Sequence, residues 1–192
     1  MLILQTMATE YRRRLDEKAL DGLMGRIAEG DRDALAKLYH RARTTVYALA
    51  LSYLKNTEDA EDVTQDAFVQ IWDSAPVYHA EGKAVAWMLT VTRNLCLMRL
   101  RKQQRSGELS EEEWAALPAL PDGLPREERL ALRAAVELLD QEEQRIVLLH
   151  AVTGWKHREI ASLLELPLPT VLSKYHRALK KLRKQLEGEN IR

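Results

Sequence analysis

Hydrophobic residues recur three and four positions apart through most of this 192-residue chain, the spacing that lines up one face of an α-helix. A short apolar run at about 20–28 closes at Gly30, and Asp31 is placed to cap a longer helix. On that helix Leu35, Leu38, Ala42, Val46, Leu49 and Tyr53 form one stripe. Lys55-Asn56-Thr57 reads as a turn, with Asn56 or Thr57 capping the next helix. That helix holds the stretch DAEDVTQDAFVQIW at 59–72. Ala60, Val63, Ala67, Phe68 and Ile71 are expected to face a core, and Asp59, Glu61, Asp62, Gln65, Asp66, Gln70 and Asp73 to face away from it. Residues 74–83, with a proline, a glycine and no helical period, read as a loop. A fourth helix follows at about 84–105, its expected stripe Trp87, Val91, Leu95 and Met98, widened by Leu89, Cys96 and Leu100. Four such helices can close a small bundle.

The periodicity then breaks. Residues 104–125 are acidic, contain Pro118, Pro121 and Pro125, and sustain no period, which marks an interdomain linker; Trp114 and Leu117 are an apolar pair within it. Helical spacing resumes with Leu130, Ala134, Leu138 and Leu139, then at 142–152 with Ile146, Val147 and Leu149 inward and His150 at the edge. Gly154 makes a turn. A short helix at 156–164 turns Ile160, Ala161 and Leu164 inward, and Pro167-Leu168-Pro169 ends it and starts the next, since proline is tolerated in a first turn. The last helix, about 170–186, carries Val171, Tyr175, Ala178, Leu179 and Leu182 on its inner face. The predicted fold is all-α: two small helical domains joined by a flexible linker, the second containing a helix-turn-helix. The division is an N-terminal arm at 1–19, a first domain at 20–105, the linker at 106–125 and a second domain at 126–192.

Charge changes this picture locally. The 29 basic and 29 acidic residues cancel, but they are segregated. Lys174, Arg177, Lys180, Lys181, Arg183 and Lys184 follow one another without an acid, as do Arg99, Arg101, Lys102 and Arg105. The acidic face of 59–73 contains no base, so it is either a solvated surface or a site for a basic partner. The single cysteine, Cys96, excludes an internal disulfide, and no apolar run is long enough to span a membrane. Together these fit a protein of the reducing cytoplasm. No phosphate-cradling glycine loop, zinc-ligand spacing or nucleophile motif is present, so neither an enzyme, a cofactor, a metal nor a small-molecule substrate is expected. His150 and His157 read as a core edge and a surface residue rather than a metal pair.

The stretch REIASLLELPLPTVLSKYHRALKKLR, 158–183, has the layout of a helix-turn-helix. Ala161 lets the second helix cross closely. That helix leaves Ser173, Lys174, His176, Arg177 and Lys180 for another surface, and its N-terminal part would meet base edges first. Lys180, Lys181 and Lys184, further on, suit phosphates, which position a protein without specifying sequence. The competing reading is a solubilising C-terminal helix.

Taken with DAEDVTQDAFVQIW and AWMLTVTRNLCLMRLRKQQR (86–105), this stretch resembles the bacterial sigma factors of the extracytoplasmic-function class, which keep only the second and fourth sigma regions. The resemblance spans about 20–105 and 126–186. It implies a transcription initiation factor whose partners are core RNA polymerase, promoter DNA and an anti-sigma factor. Carried over by position, it implies that Asp62, Gln65 and Asp66 bind the polymerase clamp. It places Tyr78 and His79 in a loop that captures a flipped base. Trp87, Arg93, Asn94, Arg99, Arg101 and Lys102 would grip the opened minus-ten strand, although Trp87 reads equally as a core residue. Thr170, Ser173, Lys174, His176, Arg177, Lys180 and Lys181 would meet the minus-thirty-five element. The chain departs from the family pattern at Leu172, often Lys or Arg there, at Met98, often acidic, and at Glu165 and Pro169, often glycine. Two further readings are a polymerase-independent helix-turn-helix repressor, for which no dimerising heptads are seen, and a sigma-like module that titrates an anti-sigma factor.

Overall fold

Side-chain caps decide where the helices begin. The computed structural model describes residues 16–79, 82–106 and 134–189, which fall into two compact units, 16–106 and 134–189. The arm through residue 15, the linker with Trp114 and Leu117, and Leu130 lie outside the described residues.

In the first unit, Asp16 caps α1, Glu17–Ala28, accepting hydrogen bonds from the backbone N–H groups of Lys18 and Ala19. The helix therefore starts three residues before the first apolar position, Leu20. Asp31 caps α2, Arg32–Leu54, accepting from the Ala34 N–H at 3.0 Å and from the Arg26 guanidinium. The Ala34 N–H and the Arg26 charge hold its carboxyl below the usual range. Asn56, not Thr57, caps α3, Thr57–Ser74, through the Asp59 N–H at 3.0 Å. A short 3-10 turn, Ala75–Val77, interrupts the expected loop, and α4 runs Ala84–Ser106. Helices α2, α3 and α4 pack against one another, with α1 laid on α2 and the 3-10 turn.

Ala60, Val63, Ala67, Phe68 and Ile71 of α3 are all buried, as are Leu38, Ala42, Val46, Leu49 and Tyr53 of α2. Each large side chain so buried contributes roughly 1.5–3 kcal/mol before chain entropy is counted. Helix α4 differs from expectation. Its buried stripe is Val85, Met88, Leu89, Thr92 and Cys96, whereas Trp87, Val91 and Leu95 are half-buried and Met98 is 61% exposed. Leu89 and Cys96 lie inside as expected; apolar residues otherwise spread round the first half of the helix, so packing on α2 and α3 rather than periodicity selects the face. Thr92 enters the core because its hydroxyl donates to the Met88 carbonyl at 2.9 Å, leaving no unsatisfied polar group.

In the second unit the first described residues, 134–137, are helical. Ala135 and Leu139 pack with Ala178 and Leu182, while Leu138, expected inside, is 53% exposed. The helix stops at 137, and the buried Gln144 donates to the carbonyls of Val136 and Leu139 at its end. Helix α5, Gln141–Thr153, starts in a reciprocal cap: Asp140 accepts from the Glu143 N–H at 2.8 Å and Glu143 accepts from the Asp140 N–H at 3.0 Å. It ends at Gly154, whose φ of +68° suits a residue without Cβ. Helix α6, His157–Leu164, buries Ile160, Ala161 and Leu163, one position before the expected Leu164. Helix α7, Leu168–Glu189, has Pro169 in its first turn and buries Val171, Ala178 and Leu182. Helix α7 packs on both α5 and α6.

Candidate functional site

Three surfaces hold the residues that the sequence singled out. On α3 the outward positions Asp62, Gln65 and Asp66 are exposed. Asp59, at the start of that row, is drawn into the protein. The Arg99 guanidinium of α4 grips its carboxylate, with Nε donating to Oδ1 at 2.9 Å, and Gln103 donates to Oδ2 at 2.6 Å. The base missing from α3 is thus supplied by α4. The Asp59 hydrogen bond holds the Arg99 guanidinium above its usual value. Arg99 reaches Asp62 only at 3.3 Å, and the Asp62 side chain stays 59% exposed. Beside these residues Val63, Asp66, Leu95 and Met98 line a groove together with the basic side chains Arg99, Arg101, Lys102 and Arg105.

The second surface lies where α1 meets the start of α4. Asp21 of α1 accepts the Tyr78 hydroxyl at 2.6 Å on one carboxylate oxygen and the Gly82 N–H at 2.6 Å on the other. Glu17 accepts from the Val85 N–H in the first turn of α4 at 3.1 Å. The Tyr78 ring lies against Trp87, centroids 5.1 Å apart. Burial pushes the Tyr78 phenol well up, and the bond to Asp21 adds to this, so it stays a donor. His79 next to it is exposed. Along α4, Arg93 is half-buried and Asn94, Arg101 and Lys102 are exposed.

The third surface is α7. Ser173, His176, Arg177 and Lys180 are exposed and Thr170 is half-buried. Lys174 is only 16% exposed and pairs at 3.1 Å with both Asp140 and Glu142 at the start of α5. Burial alone would lower the Lys174 ammonium; its two carboxylate partners outweigh that and raise it. Lys181 pairs at 2.6 Å with Glu143, whose side chain is 1% exposed, and Arg177 stands 3.9 Å from the same carboxylate. The acids of the α5 first turn, already favoured there by the helix dipole, therefore fasten the flank of α7 and leave its outer face open.

Residues 38–106 match the family model for sigma-70 region 2, and residues 129–182 that for sigma-70 region 4. Over 176 residues the chain is 29% identical to the ECF RNA polymerase sigma factor SigK of Mycobacterium ulcerans, covering 88% of this chain and 94% of that protein. The chain belongs to the extracytoplasmic-function class of sigma-70 factors. Identity to the ECF RNA polymerase sigma factor SigK of Mycolicibacterium vanbaalenii is 27% over 175 residues, 87% of this chain and 89% of the other. The fold is shared with CnrH, solved in complex with the cytosolic domain of CnrY, at a TM-score of 0.60 and 24% identity over 88% of this chain and 98% of that one. It is shared also with RpoE of Bartonella quintana, solved with the anti-sigma factor NepR, at 0.62 and 22% over 78% and 94%.

As a sigma factor the protein directs promoter recognition and the initiation of transcription. No cluster of three metal-ligating side chains occurs among the described residues, and none of their helices is long and apolar enough to cross a membrane. Sequence reasoning missed two constellations of this sigma factor. One is the Asp21 and Glu17 pair that ties α1 to the Tyr78 loop, for which contacts some 60 residues apart in the chain left no local signal. The other is a ring cluster: His150 and His157 stack at 4.9 Å, and Tyr175 meets both edge-on. His150 is fixed by its Nδ1 at 2.8 Å from the Trp155 carbonyl. Nε2 of His157 is buried without a hydrogen-bond partner.

Proposed function

We propose that the two units divide the work of initiation, 20–105 binding core RNA polymerase and the minus-ten element and 126–192 the minus-thirty-five element. The solvent-facing row Asp62, Gln65 and Asp66 carries the polymerase contact. It is the observation that matters most, because these side chains stay exposed although Arg99 reaches Asp62, and exposed carboxylates suit a basic helix pair on a partner. In the minus-ten surface, the exposed His79 is the group available to stack on a captured base, while Tyr78 and Trp87 form the wall beside it. Arg93, Asn94, Arg101 and Lys102 then follow the opened strand along α4, and Arg99 contributes through its grip on Asp59. On α7, Ser173, His176 and Arg177 face base edges, with Thr170 and Lys180 on the flanking backbone. Lys174 and Lys181 set the pose of the helix through Asp140, Glu142 and Glu143, and Lys181, 43% exposed, also reaches phosphate.

The polymerase performs nucleotidyl transfer; this chain supplies selectivity and strand opening in the cytoplasm. An anti-sigma protein is its further partner, a reading supported by the partners named for the two solved relatives of the same fold. The double variant Asp62→Ala with Asp66→Ala tests the central assignment. Both side chains are exposed, so the melting temperature should hold while co-elution with core polymerase is lost. Undiminished co-elution would remove these residues from the interface.

A further inference from the structure

Two leucines lie at the surface of the reading end of α7. Leu168, its first residue, is 41% exposed, and Leu172, one turn later, is 37% exposed. Positions four apart share a helix face, so the pair forms one apolar strip. The strip is outside the core of the unit, which takes Val171, Ala178 and Leu182 from the same helix. It borders the exposed His176 and runs beside Ser173, with Arg177 and Lys180 beyond. A strip so placed is flanked by hydrogen-bond donors and cations suited to DNA, and the first turns of such a helix are the ones that meet base edges.

Leucine neither donates nor accepts a hydrogen bond. Facing the major-groove edge of guanine or adenine, it would leave N7, and O6 or the N6 amino group, without a partner. Only one group in that groove is apolar, the 5-methyl of thymine. We propose that Leu168 and Leu172 read the 5-methyl groups of neighbouring thymines in the upstream promoter element. A basic side chain at position 172 would favour guanine or phosphate; leucine exchanges that contact for methyl recognition. The inference rests on α7 being the upstream DNA reader and adds to it the chemistry of the bases selected.

Reconstituted holoenzyme, this chain with core polymerase, is used to select promoters from a library randomised across the upstream element. Thymine should be enriched at one or two adjacent positions. Replacing those thymines by deoxyuridine removes only the methyl and should weaken holoenzyme binding about fourfold per methyl. In the Leu172→Lys variant the penalty for deoxyuridine at the position facing residue 172 should vanish while binding persists. A melting curve shows that the variant is folded. Equal binding of thymine and deoxyuridine templates by the wild-type protein, or a selected element without thymine, would overturn the inference while leaving α7 as the reader. Loss of all upstream enrichment, with Arg177→Ala binding as the wild type does, would instead overturn the assignment of α7 to DNA.

Discussion

At the scale of single residues, two positions carry a measurable burden or bond. Glu165 ends α6 in the left-handed region at φ +56°, a conformation that disfavours residues with a Cβ. Glycine there removes the strain, so Glu165→Gly should stabilise the second unit by about 1 kcal/mol, read as a rise in its melting temperature. The departure from glycine noted at this position thus leaves the turn intact and weakens it. Tyr78 shows the opposite case. Its hydroxyl is spent on Asp21 at 2.6 Å, and Tyr78→Phe removes that bond while keeping the ring on Trp87. The first unit should lose about 1–2 kcal/mol in denaturant titration, and the loss should not add to that of Asp21→Asn if the two act as one contact.

At the scale of elements, the helix-turn-helix is held by its ring cluster as well as by its apolar core. Burial first, and then the neighbouring charges that His150 and His176 would carry, push the His157 imidazole below its ordinary 6.5. The folded state therefore prefers His157 neutral, while the unfolded chain takes up a proton near 6.5. Stability is full above that value and declines as the pH falls below it towards the folded value. The transition of the second unit should move to lower temperature between about pH 8 and about pH 5.5. His157→Phe, which keeps an aromatic ring against His150 and Tyr175, should flatten that dependence. An unchanged slope in calorimetry would remove His157 as the source of the dependence. The three acids at the start of α5 act at the same scale: they fasten Lys174 and Lys181 so that α7 presents one face.

At the scale of the whole molecule, charge separates the two functions. The proposed division puts an acidic row on the first unit for a basic face of the polymerase, and a basic helix on the second for DNA, an acidic polymer. Zero net charge on the chain conceals both. Arg177, 60% exposed, is the cation of α7 that stands open near its reading end. Arg177→Ala should weaken holoenzyme binding with little change in the slope of log affinity against log salt, as a base contact requires. A slope reduced by ~0.9 would place Arg177 on a phosphate instead.

The sequence by itself determined the helices, the cap at Asp31, a cap at Asn56 or Thr57, the inward face of α3 and the helix-turn-helix, since each depends on residues within a few positions of one another. It also carried the family, through motifs in a fixed order. On α4 it placed Leu89 and Cys96 inside but also Trp87 and Met98, because apolar residues spread round the first half of that helix; only packing on α2 and α3 selects Val85 and Met88 instead. It did not show that Asp59 is neutralised by Arg99, that Asp21 holds Tyr78, or that Glu143 holds Lys181. Those pairs join residues some 40 to 60 positions apart, and electrostatic partners at such distances exist only once the chain has folded.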